Sequence, residues 1–474
     1  MSPQAKDSRS VVEQIAAFIS KTGPEHLDAE ARRMLKRNIL DCLGCAIAAL
    51  SGSPFEALRE QFAEYRSGGS CTLIGGGTSS VDQAALFNSG LVRYVDLLDS
   101  FISPGGLCHP SDNFGSVLAA AEHVRASAEQ FLVALAVAYE VQCRITAVVP
   151  DVAKGFNHTT QLAMSVAAAS AKLFGLTEAQ ISHALSIATV DNVSLSCVHS
   201  EPVSQWKGFS PGITGMRSVY VTSLAKRGFT GPSRLFEGPN GLERTFNQPI
   251  RVDWEDLSLG VGKQTVLKEF CALTHGQPAL EATLTLKRKH KLSAEDIDGV
   301  ICDIFQSGYD IAGGGSFGAK DGPRTKEQAH YNLKYLIAAA LLDGQVGPAQ
   351  LEPQRIQSAE AQALLARIVV EPDDRFSARY PQELNVRITV QTKDGRYFVQ
   401  ENPDYDGGLA SPMSWERVVA KFHWLSESHA DAALREQIIE TVYGLDSRPL
   451  SDLMRLLAAV KTKATYPAKR PASR

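Results

Sequence analysis

Apolar residues return every three or four positions through most of the first 265 residues of the chain, the spacing that lays one apolar stripe along a helix. The pattern predicts helices over 11–20, 28–49, 81–98, 114–123, 131–148 and 161–174. Punctuation agrees with it. Gly175 closes one of these helices, and Thr177-Glu178-Ala179-Gln180 has the capping-box form ahead of the apolar run ISHALSIA. No repeat with a period of about 20–50 residues is present, so a solenoid is not predicted.

Further along the chain the period shortens to two. The runs GVICDIF (299–305), RIVV (367–370), LNVRITV (384–390) and RYFVQ (396–400) are short and rich in β-branched residues, and Lys393-Asp394-Gly395 between the last two reads as a hairpin turn. Helical patterns at 277–289 and 327–342 are interleaved with them. After the loop DYDGGLASPMS, Ser414 is a good N-cap and helical spacing resumes to about Val460. The expected fold is therefore mainly α: a large all-helical domain made of two segments, 1–266 and 405–460, with a smaller α+β domain, 267–404, inserted between them. The last stretch, 461–474, carries five basic residues, no acid and two prolines, and reads as a basic flexible tail.

Composition narrows the function. With 474 residues, about three quarters of the unfolded surface can be buried, enough for a large core. The 48 basic and 52 acidic side chains give a net charge of −4, which offers no field for nucleic acid or an anionic membrane. The longest apolar run, Phe131–Tyr139, is nine residues, far short of the roughly 20 that a membrane span needs. The first ten residues, MSPQAKDSRS, lack the apolar stretch of a secretory signal, so a cytoplasmic protein is expected. Eight cysteines are too sparse for a disulfide framework and read as reduced thiols. Cys42 and Cys45 form a CxxC, but they fall within a helical pattern and no second CxxC follows, so they read as small core residues.

Two motif matches fail on physical grounds. Gly208-Phe209-Ser210-Pro211-Gly212 fits GxSxG, yet a nucleophile elbow needs the backbone N–H after the serine and proline has none. Gly313 to Gly318 fits GxGxxG, but the sequence after it does not open a helix as a dinucleotide site requires, so it reads as a flexible loop. Eleven histidines without ligand spacing predict no metal site.

What remains is a scatter of polar groups in apolar surroundings. Asp96, Asp99 and Ser100 end a helical pattern, and His109-Pro110-Ser111-Asp112-Asn113 precedes the next one. His109 has two readings: a general acid/base near a carboxylate-binding helix start, or a loop residue whose neighbours Ser111 or Asp112 cap that helix. His158 stands at another loop-to-helix entry. Lys207 and Lys268 sit among apolar residues, where a lysine either snorkels to the surface or clamps a carboxylate, and His275 follows Lys268 closely. Histidines and lysines with one aspartate, and without a nucleotide, metal or nucleophile motif, point to proton transfer on a carboxylate substrate.

On these residues the chain resembles the MmgE/PrpD family, and within it the 2-methylcitrate dehydratase branch. The resemblance is carried by ordered blocks: NSGLVRYVDLLDS with CHPSDNFG, GFNHTTQLAMSVAAASAKLFGL, SQWKGFSPGITG with LAKRGFTGP and FEGPNGL, LKEFCALTHGQPALEA, and SPMSWERVVAKF. It implies that the inserted α+β domain is a lid, that the protein is a homodimer working without cofactor or metal, and that it dehydrates, decarboxylates or epimerises a small di- or tricarboxylate. By motif position it places an active-site aspartate on Asp96, a hydroxyl on Ser100, histidines on His109 and His158, lysines on Lys207 and Lys268, and a lid-side histidine on His275. The chain departs from the branch at Leu97-Leu98 and in KEQAHYNLKYLIAAAL, which leaves the substrate open.

The expectation is a cofactor-independent lyase that removes water from a 2-hydroxy tricarboxylate resembling 2-methylcitrate. His109 is expected as principal acid/base with His158 as its partner, Asp96 orienting one of them, Lys207 and Lys268 stabilising the charge that develops, and Ser100, Lys268 and His275 binding substrate. An epimerase, a decarboxylase and an inactive carboxylate-binding protein stay open as alternatives.

Overall fold

The computed structural model describes residues 9–461 except 67 and 151. The basic stretch expected to be a tail lies, from residue 462 onward, outside the described residues.

Among the described residues, nine helices of eight or more residues build the amino-terminal half: α1 (Val11–Lys21), α2 (Ala29–Ala48), α3 (Ser53–Glu64), α4 (Val81–Tyr94), α5 (Phe114–His123), α6 (Ala128–Thr146), α7 (Thr159–Leu173), α8 (Glu178–Val190) and α9 (Trp206–Lys226). At the starts of α1, α2, α6 and α8 the side chains of Ser10, Asp28, Ser127 and Thr177 accept from orphan N–H groups of the first turn. The expected capping box is present, with Gln180 N–H donating to Thr177 Oγ1 and Thr177 N–H donating to the Gln180 side-chain Oε1. α4 lies between α5 and α9, and α7 lies between α6, α8 and α9. The close approach of α4 and α5 depends on Gly115, where an added Cβ would stand 2.2 Å from the backbone nitrogen of Ser89. Alanines and other small residues fill much of the remaining core, which extends without a break into the carboxyl-terminal part.

The sheet lies in the middle of the chain. Strands β1 (Ile297–Ile304), β2 (Ile368–Pro372), β3 (Val386–Thr392) and β4 (Tyr397–Asn402) stand in the order β2-β1-β3-β4. β1 and β2 run parallel, and the other two pairings are antiparallel. Val386, Ile388, Val390 and Thr392 alternate inward along β3, where the helix Gln277–His290 covers the sheet. The helix Trp415–Ser426 then packs on α2, so the chain returns to its amino-terminal helices. Ser414 caps it by accepting from Arg417 N–H, as expected.

The chain is mainly α, and most expected elements are present. α4 stops four residues before the expected end, because Asp96 takes a left-handed conformation at φ +51° and turns the chain away. The expected helix 327–342 is two helices, Lys326–His330 and Leu333–Asp343, with the Asn332 side chain capping the second. α3 and α9 were absent from the pattern. In α9, glycines 208, 212 and 215 and Pro211 interrupt the apolar period. The GxSxG match is therefore the second turn of a helix. The GxGxxG match begins at the end of a helical turn, Tyr309–Gly313, and Ser316 and Phe317 within it line a cavity. Cys42 and Cys45 are buried on α2, and burial pushes both thiols well up. Among the described residues, no single helix is long and apolar enough to cross a membrane.

Candidate active site

The left-handed turn at Asp96 buries its carboxylate among three cations. Lys207 Nζ from α9 donates to Oδ2 at 2.6 Å, Lys268 Nζ to Oδ1 at 2.8 Å and Arg93 Nη1 to Oδ1 at 3.1 Å. Burial alone would raise the Asp96 carboxyl, but Lys207, Lys268 and Arg93 outweigh it and hold the group well below the ordinary carboxylate range. The backbone strain is thus bound to a charge cluster, the kind of place where strain is tolerated. Three basic groups face one anion, and burial brings Lys207 down to about 7, so that it is only partly charged at neutral pH, and lowers Lys268 as well.

Three residues later a second carboxylate organises the histidine loop. Asp99 accepts from Ser111 N–H at 2.9 Å, Ser111 Oγ at 2.6 Å, Tyr139 Oη at 2.8 Å and Asn38 Nδ2 at 3.1 Å. Burial still lifts its carboxyl to about 6. By tying down Ser111, Asp99 fixes the His109-Pro110-Ser111 turn. The Asp99 backbone carbonyl accepts from His109 Nδ1 at 2.7 Å. A carbonyl only accepts, so the hydrogen is on Nδ1 and the Nε2 lone pair is free. Ser100 Oγ is 3.1 Å from His109 Nδ1 and 2.7 Å from Thr274 Oγ1.

His158, at the entry to α7, donates from Nε2 to Asp112 Oδ2 at 3.1 Å. The rings of His109 and His158 meet edge to face at 5.1 Å. Burial pulls both imidazoles below the ordinary histidine range; the Asp112 carboxylate opposes the shift for His158 but does not overcome it. Both are therefore neutral near pH 7.

These groups border a cavity of about 540 Å³ lined by His109, His158, Lys268, His275, His199, Tyr331 and their neighbours. The expected residues divide into two sets. His109, His158, Lys268 and His275 face the cavity, whereas Asp96, Lys207 and Ser100 are buried behind its wall. Lys207 places its ammonium 4.2 Å from the centroid of the Tyr331 ring, whose residue lines the cavity. Among the described residues Asp96 hydrogen-bonds to no histidine; His158 is bonded to Asp112 and His109 to the Asp99 carbonyl instead. His275 packs against Phe305 and Tyr380, with Nε2 3.3 Å from Tyr380 Oη and 3.5 Å from Ser307 Oγ. Burial, and then Lys268, brings its imidazole down to about 4, so it meets a ligand as a neutral group.

Sequence reasoning missed Arg93, Thr274, His199, Tyr331 and Tyr380. Arg93 carried a usable signal, an arginine at i−3 from Asp96 inside an apolar helix; the others come together only through the tertiary fold. Among the described residues, no three His, Cys, Asp or Glu side chains converge to hold a metal.

Arranged this way, the cavity offers imidazole nitrogens that hydrogen-bond to no described residue, beside a lysine and hydroxyl groups. That set can move protons and bind carboxylates.

Comparison with known proteins gives the same direction. Residues 13–255 match the MmgE/PrpD N-terminal domain and residues 270–445 the MmgE/PrpD C-terminal domain. A 2-methylcitrate dehydratase of Salmonella typhi is 27% identical over 396 residues, covering 78% of this chain and 80% of that protein. A cis-aconitate decarboxylase-like protein of Aspergillus oryzae is 23% identical over 477 residues, covering 95% and 97%. An alkylcitrate dehydratase of a fungal species is 26% identical over 455 residues, covering 86% of each chain.

Proposed function

The chain belongs to the MmgE/PrpD family, and on that premise we propose that it is a lyase removing water from a small 2-hydroxy tricarboxylate by acid/base catalysis, without cofactor or metal. The observation that carries this reading is the convergence of His109, His158, Lys268 and His275, from three separate parts of the chain, on one cavity.

In the proposed reaction, His109 Nε2 takes the proton from the carbon next to a carboxylate. The C–H electron pair becomes the new C=C bond, the C–O bond breaks, and the departing hydroxyl leaves as water with a proton from the second acid, for which His158 is the candidate once the bound polyanion has brought its imidazole, paired with Asp112, into the protonated form. Negative charge spreads onto the carboxylate as the C–H bond breaks. Lys268 lies at the wall to meet it, and Arg93 and Lys207 add positive field from behind. Ser100 shares its hydroxyl with Thr274 and with His109 Nδ1, so it acts by holding the His109 ring. His275 and its neighbours Tyr380 and Ser307 offer hydrogen bonds to a second carboxylate.

We read the fold as a helical body, 1–266 with 405–460, closed over by an α+β lid, 267–404, which supplies Lys268 and His275. The same reading takes the protein as a cytoplasmic homodimer. Exposed Val190, Val193, Leu195, Trp206 and Tyr220 along 190–220 support an interface with a second copy, and light scattering on the purified protein tests it.

The experiment for the function is incubation with 2-methylcitrate, citrate, isocitrate, cis-aconitate and iminodisuccinate, following alkene absorbance. A rise with a hydroxy tricarboxylate is expected. Loss of CO₂ from cis-aconitate would give the reaction to a decarboxylase, for which the Aspergillus relative speaks. Inversion of iminodisuccinate alone would give it to an epimerase, and binding without turnover would leave a carboxylate-binding protein.

The depressed imidazoles set a pH dependence. A base acts when unprotonated. Because burial holds free His109 below its usual value of about 6.5, the neutral form persists as pH falls through that value. The acid limb of kcat/KM is expected below pH ~6.5. Bound polyanion favours protonation, so the acid limb of kcat is expected at higher pH than that of kcat/KM. An acid limb of kcat/KM above pH ~7 contradicts His109 as the base.

A further inference from the structure

One imidazole in the cavity has no part in the elimination above. His199 is 7% exposed and ends a short turn, Ser196–His199, between α8 and α9. Its ring lies nearly parallel to Tyr331 (centroids 5.3 Å apart, planes at 19°) and to His158 (6.3 Å, 24°). The ring is thus stacked with two neighbours, and neither ring nitrogen hydrogen-bonds to a described residue. The side chain lines the cavity.

The turn that carries it is held tightly. Ser196 N–H donates to the Gly155 carbonyl at 2.9 Å, and Ser200 N–H to the Cys197 carbonyl at 3.0 Å. Glu201 N–H donates to the Phe317 carbonyl at 2.9 Å, and the buried Lys320 ammonium reaches Glu201 Oε1 at 2.6 Å. The last two bonds join the turn to the glycine-rich segment on the other side of the cavity. An imidazole fixed in place with its polar atoms unspent is unusual in an interior, where polar groups are almost always paired. Lys207 and Arg93 add positive field around it.

Two other groups of donors line the cavity: Lys268 near Thr274, and His275 with Tyr380 and Ser307. In the functional reading above, two carboxylates would occupy those. Building on the functional reading above, we propose that His199 binds a third carboxylate, remote from the bond that breaks, and so separates tricarboxylates from dicarboxylates. It is a specificity-determining residue, with the proton transfers left to His109 and His158.

The test is calorimetric titration of citrate and of malate into the full-length protein and its variants. His199→Phe keeps a flat ring between Tyr331 and His158 but has no nitrogen. It is expected to weaken citrate binding about tenfold or more, the usual effect of losing a hydrogen bond to a charged group, and to change malate binding less than about twofold. His199→Gln, which keeps a donor, is expected to recover part of the citrate affinity. His199→Asn, polar but shorter, carries the same expectation as the Phe variant and replaces it if that variant does not fold. Equal citrate affinity in wild type and the Phe or Asn variant overturns the inference, as does equal loss for both acids, which marks a structural role. If wild type binds neither acid, the functional reading falls and this inference falls with it.

Discussion

His109→Ala loses turnover while the protein stays folded. The ring is buried among side chains but belongs to a loop whose shape is set by Asp99 and Ser111, so its removal leaves the surrounding hydrogen bonds in place. What disappears is the Nε2 lone pair, directed by the bond from Nδ1 to the Asp99 carbonyl. A positioned general acid or base contributes about 10²–10⁴-fold, and an alanine cannot substitute for it. kcat is therefore expected to fall by about that factor, with thermal melting close to wild type. Turnover within a few-fold of wild type on the true substrate contradicts the assignment.

The second large effect is on stability. Asp96→Asn keeps the shape of the side chain and an oxygen that accepts hydrogen bonds, but it removes the carboxylate that ion-pairs with Arg93, Lys207 and Lys268 alike. Unpaired buried charge costs about 3–5 kcal/mol when one partner of a buried pair is removed. A drop of that order is expected in denaturant unfolding at neutral pH, and added citrate is expected to restore part of it by supplying anionic charge. Because the folded Asp96 group titrates well below an unfolded aspartate at about 3.9, its contribution is present above that pH and fades as pH falls through the depressed value. The difference between the Asn variant and wild type should accordingly shrink in strong acid. A variant as stable as wild type at neutral pH contradicts the account of the cluster.

Much of this was readable because it rests on local pattern. The period of three and four gave the helices around the site, Thr177 and Ser414 gave their starts, and the β-branched runs either side of Lys393-Asp394-Gly395 gave the hairpin β3–β4. His109, His158, Lys268 and His275 were legible as polar groups at the edges of apolar segments, and the cavity gathers all four. What the pattern hid depends on long-range contact. Asp96 looked like a partner for histidine, and its left-handed turn gives it to Lys207 and Lys268, 111 and 172 residues away. Asp112 looked like a helix cap, and the fold places it on His158 across 46 residues of chain. His199 carried no signal, since only the stacking of α8, α9 and the segment around Tyr331 turns a loop histidine into part of a cavity wall.

The central claim is that one proton leaves carbon and one hydroxyl leaves as water in the cavity that holds His109. Proton NMR of 2-methylcitrate with the purified protein in D₂O tests it most directly, because it observes product and exchanged hydrogen together. Growth of the alkene signal with wild type, and its absence with His109→Ala, is the predicted result. Exchange of the carbon-bound hydrogen for deuterium without alkene, or alkene formed equally well by the His109→Ala protein, would contradict the account.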